Sequence, residues 1–256
     1  QGLRNRAVTD ITEPGSTIKA FTVANALASG KYTPTTPINT NPGWMSVNGK
    51  TVRDDANYGQ LNVTGVLQKS SNVGATKMTL SLPPASLYEL LQKTGFGTLT
   101  GCKFPGASPG YLPLGALKNH FELATLSFGY GIAVTNLQLA HAYTVLANQG
   151  LKTPTSLLRQ TAEIPRSRVM SSKIANEVLF MLESVVEKGG TATRAQVPGY
   201  RVSGKTGSVR MVGAHGYEPN HHIAIFVGIA PVSAPRLVAS IIIKNPKRGG
   251  YFGGLV

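Results

Sequence analysis

Ser16 and Lys19 stand three residues apart, directly after Pro14-Gly15. On a helix that spacing puts both side chains on one face a turn apart, so the Lys19 amine can reach the Ser16 hydroxyl. A hydroxyl beside an amine is a nucleophile beside its base. Pro14-Gly15 places Ser16 at a helix start, where free backbone N–H groups and the macrodipole favour developing negative charge. Ser16-Thr17-Ile18-Lys19 is the only Ser-x-x-Lys in the chain, although roughly one arises by chance in a sequence of this length. Lys-Thr-Gly occurs at Lys93-Thr94-Gly95 and at Lys205-Thr206-Gly207, and Ser-x-Asn occurs at Ser46-Val47-Asn48 and at Ser70-Ser71-Asn72. A cap, a turn or a solvated polar group accounts for each motif taken alone. Their order and settings carry more, and those depend on the elements that hold them.

Residues 16–28 read as a helix with a buried face of Ile18, Phe21, Ala24 and Leu27, closing on Gly30. A loop rich in Pro, Asn and Gly spans residues 33–50. Helical stretches at 63–69 and 73–80 flank the polar break Ser70-Ser71-Asn72, which gives this Ser-x-Asn a rigid mount that the loop copy at Ser46 lacks. A helix over 84–93 has proline in its first turn and ends at Gly95, so the first Lys-Thr-Gly reads as a helix cap. Thr135-x-x-Gln138 is a capping box that starts an almost wholly apolar helix ending at Gly150. Residues 172–188 form an amphipathic helix ended by Gly189-Gly190. Strands follow over 200–212, 223–230 and 237–244, and their short links favour an antiparallel meander, with runs apolar enough to be covered on both faces. The second Lys-Thr-Gly lies on the first of these strands, where Lys205 and Gly207 face one side and hydroxyls stand ready to hold a carboxylate. The fold class is α/β with a largely helical middle.

The 256 residues carry a formal charge of +14, are 41% hydrophobic and only 14% charged, and so belong to a folded chain with a sizeable core. The longest largely apolar run, residues 223–232, falls well short of the roughly 18 to 20 residues that span a bilayer. The sequence has no initiator methionine and no signal-peptide pattern, so any targeting segment is expected outside it. One cysteine, Cys102, excludes an intrachain disulfide and a cysteine metal site. His215, His221 and His222 lack a carboxylate at ligand spacing and read as a solvated loop, and His120 and His141 read as structural. No metal and no cofactor is expected. The basic residues are scattered, the densest stretch being Lys244, Lys247 and Arg248, which does not favour a nucleic-acid partner.

Ser-x-x-Lys at a helix start, Ser-x-Asn in a helix break and Lys-Thr-Gly on a strand, in that order, resemble the signature of penicillin-binding serine transferases and serine β-lactamases. The stretches RNRAVTDITEPGSTIKAF, LQKSSNVGATKM, GYGIAVTNLQLAHAYTVLANQG, GGTATRAQVPGYRVSGKTGS and KNPKRGGYFGGLV extend this over essentially the whole chain. They resemble the transpeptidase domain of class B penicillin-binding proteins, nearest to the division-specific penicillin-binding protein 3 type of Gram-negative bacteria. The resemblance implies a penicillin-binding protein/serine β-lactamase-like fold, an antiparallel sheet flanked by helices with an inserted all-α lobe. Residues 1–256 would form one transpeptidase domain, incomplete at both ends, with an α/β lobe of 1–21 plus 190–256 and a mainly helical lobe of 22–189.

It further implies that Ser16 is the acyl-accepting nucleophile, Lys19 its general base, Ser70 a proton-relay hydroxyl and Lys205 an electrostatic contact. Asn72 and Gly207 would bind the substrate, Thr206 and Ser208 would hold its terminal carboxylate, and the backbone N–H groups of Ser16 and Ser208 would form the oxyanion hole. The family usually has threonine where Ser208 stands and a longer basic run than Val209-Arg210-Met211, which implies altered affinity with the chemistry retained. The implied reaction is D,D-transpeptidation of peptidoglycan stem peptides, with acylation by β-lactams. Division-complex membrane proteins are the implied partners, and the implied location is the periplasmic face of the inner membrane, with an anchor outside this sequence. A D,D-carboxypeptidase, a β-lactamase and a non-catalytic β-lactam sensor are the alternatives. None of the eight glutamates begins the Glu-x-x-Leu-Asn segment of class A β-lactamases, and Asp10, Asp54 and Asp55 are expected to have no route to the acyl ester.

Overall fold

The computed structural model describes residues 4–162, 164–213, 216–247, 250 and 252–255; His215 and Arg248, named above, lie outside them. From the amino end the chain forms α1 (Arg6–Thr9), β1 (Ile11–Thr12), a 3-10 turn over Gly15–Ile18 and α2 (Lys19–Ala28). Strands β2 (Pro37–Asn39), β3 (Trp44–Val47), β4 (Lys50–Arg53) and β5 (Gln60–Asn62) precede α3 (Val63–Lys69), α4 (Asn72–Leu80) and α5 (Pro84–Thr94). A loop with a 3-10 turn at Leu114–Leu117 leads to α6 (His120–Leu126), β6 (Val134–Thr135) and α7 (Asn136–Ala147). Then come β7 (Leu151–Lys152), β8 (Ser167–Arg168), α8 (Ser172–Met181), α9 (Glu183–Val186), a short 3-10 turn and the long strands β9 (Ser203–Gly213), β10 (Gly216–Ala230) and β11 (Leu237–Lys244).

Helix α2 is the centre of the core: every residue from Lys19 to Leu27 is buried. Phe21 meets Phe96 and Tyr143 edge-on, with centroids 5.6 and 5.5 Å apart. Such pairs add about 0.5–1.5 kcal/mol each to the burial of the rings. The single helix expected over 16–28 is divided, its first turn being 3-10. In a 3-10 turn residues i and i+3 eclipse, which brings Ser16 and Lys19 closer to alignment than an α-helical turn does. Helix α7 has the expected capping box, with Thr135 Oγ1 accepting from Gln138 N–H and Gln138 Oε1 accepting from Thr135 N–H. The expected helix over 172–188 breaks at Leu182 into α8 and α9.

Two sequence expectations need correction. The loop over 33–50 contains strands, because Asn48 and Gly49 both take positive φ (48° and 76°) and close β3 onto β4 in a two-residue hairpin. Helix α6 was not anticipated; Asn119 Oδ1 caps it by accepting from the N–H groups of Phe121 and Glu122.

The main sheet is antiparallel in the order β11-β10-β9, with Ala224 opposite Ser208 and Val227 opposite Lys205. Helix α7 joins it where the Asn136 amide bonds Ser240 through both its atoms. Coverage on both faces, expected from the apolar runs, is met only in part. Along β11 alternate residues stay exposed, Leu237 at 71% and Ile241 at 51%. That face carries an apolar groove of about 400 Å³ between Leu237, Ala239, Ile241, Phe226, Gly228 and Gly254. Among the described residues no helix is long and apolar enough to cross a membrane.

Candidate active site

Strand β9 is an edge strand, and its free side lies along the turn that holds Ser16. Two glycines permit this approach. A Cβ on Gly207 would sit 2.8 Å from the Pro14 carbonyl oxygen, and one on Gly15, which has φ +53°, would sit 2.5 Å from Val209 Cγ1. The turn is held from behind by Gly15 N–H donating to Gly129 O (3.1 Å) and by the Tyr143 hydroxyl donating to Thr17 O (2.7 Å).

Lys19 Nζ is wholly buried and has four acceptors within hydrogen-bond distance to share its three protons, Ser16 Oγ at 2.9 Å, Asn72 Oδ1 at 2.7 Å, Ser70 Oγ at 3.2 Å and the Ser70 carbonyl. Lys205 Nζ, equally buried, donates to Ser70 Oγ at 2.9 Å and to Thr206 O at 3.2 Å. Ser70 Oγ therefore stands between the two amines. It is presented there because Ser70 takes a left-handed conformation (φ 60°) that ends α3, while Ser71 begins α4 by accepting from Gly74 N–H. Asn72 donates from Nδ2 to Arg53 O at 2.8 Å, which leaves one amide proton for a ligand.

Burial pushes Lys19 down from 10.5 to about 7, while the carboxylates of Asp54 and Asp55 pull it back up. A lysine acts as a base only when neutral, and desolvation supplies the lowering that this requires. Lys205 is also held well below its ordinary value, by burial first and by the neighbouring Lys19 second.

Above the amines lies a cleft of about 430 Å³. Its lining includes Ser16, Ser70, Asn72, Thr206 and Ser208, with Tyr130 and Arg210 to one side. The structure thus gathers all the motif residues singled out in the sequence, with Lys19, Lys205 and Gly207 beneath the cleft. The duplicate motifs are elsewhere and have local explanations. Thr94 bonds back to the carbonyls of Leu90 and Leu91 at the end of α5, and Ser46 and Asn48 belong to the β3–β4 hairpin. Among the described residues, the lining of the apolar groove on the sheet includes no hydroxyl and one charged residue, Arg194, so those residues offer no nucleophile for this chemistry.

One expectation about the carboxylates is overturned. Asp54 is not remote: Oδ2 accepts from the Ser71 hydroxyl at 2.6 Å, and Oδ1 accepts from the N–H groups of Asn72 at 2.5 Å and Val73 at 2.9 Å. It fixes the Ser70-Ser71-Asn72 segment and caps α4 with a full negative charge. Asp55 and Tyr58 line the cleft itself. The hairpin β3–β4 delivers them, and a segment read as plain loop gave no sign of it. His221 pairs with Glu218 through Nδ1 at 2.5 Å, and among the described residues no three metal-ligating side chains converge.

Residues 1–256 match the family model described as the penicillin binding protein transpeptidase domain. The chain belongs to that family. It is 39% identical over its full length to the "Peptidoglycan D,D-transpeptidase FtsI" of Escherichia coli, of which it covers 43%. It is 44% identical over 99% of its length to the "Probable peptidoglycan D,D-transpeptidase PbpC" of Pseudomonas aeruginosa, covering 45% of that protein. Its structure superposes with a TM-score of 0.93 on the transpeptidase domain of Burkholderia pseudomallei penicillin-binding protein 3, at 41% identity, covering 98% of this chain and 77% of that one. This transpeptidase domain thus spans less than half the length of those two curated relatives.

Proposed function

We propose that the chain is the catalytic domain of a serine D,D-transpeptidase of peptidoglycan, and that β-lactams acylate it as substrate mimics. The observation that carries this reading is Ser70 Oγ within 3.2 Å of Lys19 and 2.9 Å of Lys205, with Ser16 2.9 Å from Lys19. A group titrating at about 7 is neutral half the time at neutral pH, so Lys19 can take the Ser16 proton as Oγ attacks the D-Ala-D-Ala carbonyl. The negative charge that develops on the carbonyl oxygen is received by the N–H groups of Ser16 and Ser208. The proton then passes through Ser70 to the nitrogen of the departing D-Ala, leaving an acyl ester on Ser16. An amine on a second stem peptide attacks that ester while Lys19 accepts its proton; the bond to Ser16 Oγ breaks, Lys19 returns the proton to that oxygen 2.9 Å away, and the acyl group ends in the new amide. Thr206 and Ser208 hold the terminal carboxylate and Asn72 the peptide amide.

Hydrolysis, as in a carboxypeptidase or β-lactamase, requires a base that holds water against the ester. The Asp54 oxygens are engaged by three donors, which does not favour that role for Asp54, and Asp55 is the carboxylate that lines the cleft itself. The partners of the reading are stem peptides and membrane proteins of the division complex, and its location is the periplasmic face of the inner membrane. Incubation with a D-Ala-D-Ala stem peptide and an acceptor amine, followed by mass spectrometry, tests it. The expected products are free D-Ala and a cross-linked amide. Only the shortened, hydrolysed peptide would point to a carboxypeptidase, and no turnover with intact penicillin acylation would point to a sensor.

A further inference from the structure

The hydroxyls of Thr206 and Ser208 have unlike surroundings. Ser208 Oγ accepts from Gly253 N–H at 2.9 Å, which occupies a lone pair, and among the described residues no group takes its proton. Thr206 is 6% exposed, and its hydroxyl lies 2.7 Å from the Thr191 hydroxyl, its sole hydrogen-bond partner among the described residues. Two hydroxyls in contact hold two protons and use one between them, so the pair has one proton left to give. An anion in the cleft selects the arrangement in which Thr191 donates to Thr206 and Thr206 donates outward, and a hydroxyl that accepts one bond donates the next more strongly.

Thr191 is unusually well held for a residue in a glycine-rich connection. Gly190 N–H donates to Glu187 O at 2.9 Å and Ala192 N–H to Val185 O at 2.8 Å. Lys69, at the end of α3, donates to Gly189 O at 2.9 Å. On the other side the chain passes so close that a Cβ on Gly254 would meet the Thr191 carbonyl oxygen at 1.8 Å and Thr206 Cγ2 at 3.5 Å. With its backbone fixed on both sides and a β-branched side chain stiff at χ1, Thr191 can keep its hydroxyl in one place. Both threonines line the cleft.

We infer that Thr191 is a positioning residue for substrate recognition: it orients the Thr206 hydroxyl so that its proton points at the terminal carboxylate of the acyl donor. This rests on the proposed transpeptidase reading and extends the carboxylate clamp by one residue, fifteen positions from Thr206. The test measures acylation of Ser16 by intact-mass spectrometry, with benzylpenicillin and with its methyl ester, in the wild type, Thr191→Val and Thr191→Ser. Thr191→Val should slow acylation by benzylpenicillin about tenfold, as expected for a misdirected hydrogen bond to a charged group. It should change the rate with the ester, which has no carboxylate, by less than about twofold. Thr191→Ser, which keeps the hydroxyl, should restore the rate with benzylpenicillin. Equal losses with both compounds, no loss with benzylpenicillin, or failure of the serine variant to rescue would each overturn the role of Thr191. The ester rate also reports whether the valine variant has kept its active fold. A wild type that benzylpenicillin does not acylate at Ser16 would overturn the functional reading itself.

Discussion

Replacing Asp54 with asparagine perturbs two properties with separable readouts. In the native protein the carboxylate accepts from the Ser71 hydroxyl and from two N–H groups at the start of α4. Asparagine can still accept from the N–H groups through its oxygen, but its amide nitrogen cannot accept from Ser71. Loss of one charge-assisted bond and of the anion at the helix start should lower stability by about 2–3 kcal/mol. The second effect is electrostatic. Of the two carboxylates that hold the Lys19 value up against burial, Asp54 acts more strongly, so removing its charge lets Lys19 fall further below about 7. The rising limb of acylation rate against pH, which follows conversion of Lys19 to its neutral form, should move to lower pH by about half to one unit. Urea unfolding measures the first effect, and stopped-flow acylation by a chromogenic β-lactam from pH 5 to 9 the second. A rising limb that moves to higher pH, or stays in place while stability falls, would refute the assignment of Asp54 as an electrostatic support of Lys19.

Lys205→Ala should slow acylation by orders of magnitude, because Ser70 Oγ loses one of its two amine neighbours, whereas Lys93→Ala on α5 should leave it within a few-fold; the same acylation assay compares them. In the wild type the rate should rise with pH through about 7, since Lys19 is a base only when neutral, and a flat profile from roughly pH 6 to 10 would contradict this. The same depression has a stability consequence. Lys19 is largely charged in the unfolded chain up to about 10.4 but deprotonates in the fold near 7, so its contribution to folding free energy rises between those pH values and is least favourable below 7. Denaturation midpoints across that range measure it. Tyr143→Phe removes the buried donor to Thr17 O and should cost about 1–2 kcal/mol in thermal or urea unfolding.

Much of the site was legible in the sequence because its decisive relation is local. Ser16 and Lys19 are three residues apart in a turn that any helix-start reading detects, and the flanking helices mark Ser70 and Asn72 as rigidly mounted. The correct Lys-Thr-Gly was recognisable because one copy ends a helix at Gly95, where a cap is sufficient explanation, and the other runs along a strand. What the sequence did not disclose lies in contacts made by chain reversal. Asp54 reaches Asn72 from eighteen residues away through the β3–β4 hairpin, whose strands are only four residues each and half polar. Thr191 reaches Thr206 through a turn held by Lys69, a residue on another helix. The fold shows the same division: helices with clear periodicity appear near their expected ends, and strands β9 to β11 appear in the expected antiparallel order. The open face of β11 was not foreseen, because a run of β-branched residues looks alike whether one face or both are covered.

The central claim is that Ser16 alone forms the covalent bond to the acyl donor. The most direct measurement is intact-mass spectrometry of the wild type and Ser16→Ala after exposure to benzylpenicillin and removal of the free drug, followed by peptide mapping. The expected result is one penicilloyl group on the wild type, located at Ser16 and persisting for many minutes, and none on the folded alanine variant. Stoichiometric adduct on folded Ser16→Ala, or an adduct mapped to any other residue, would contradict it.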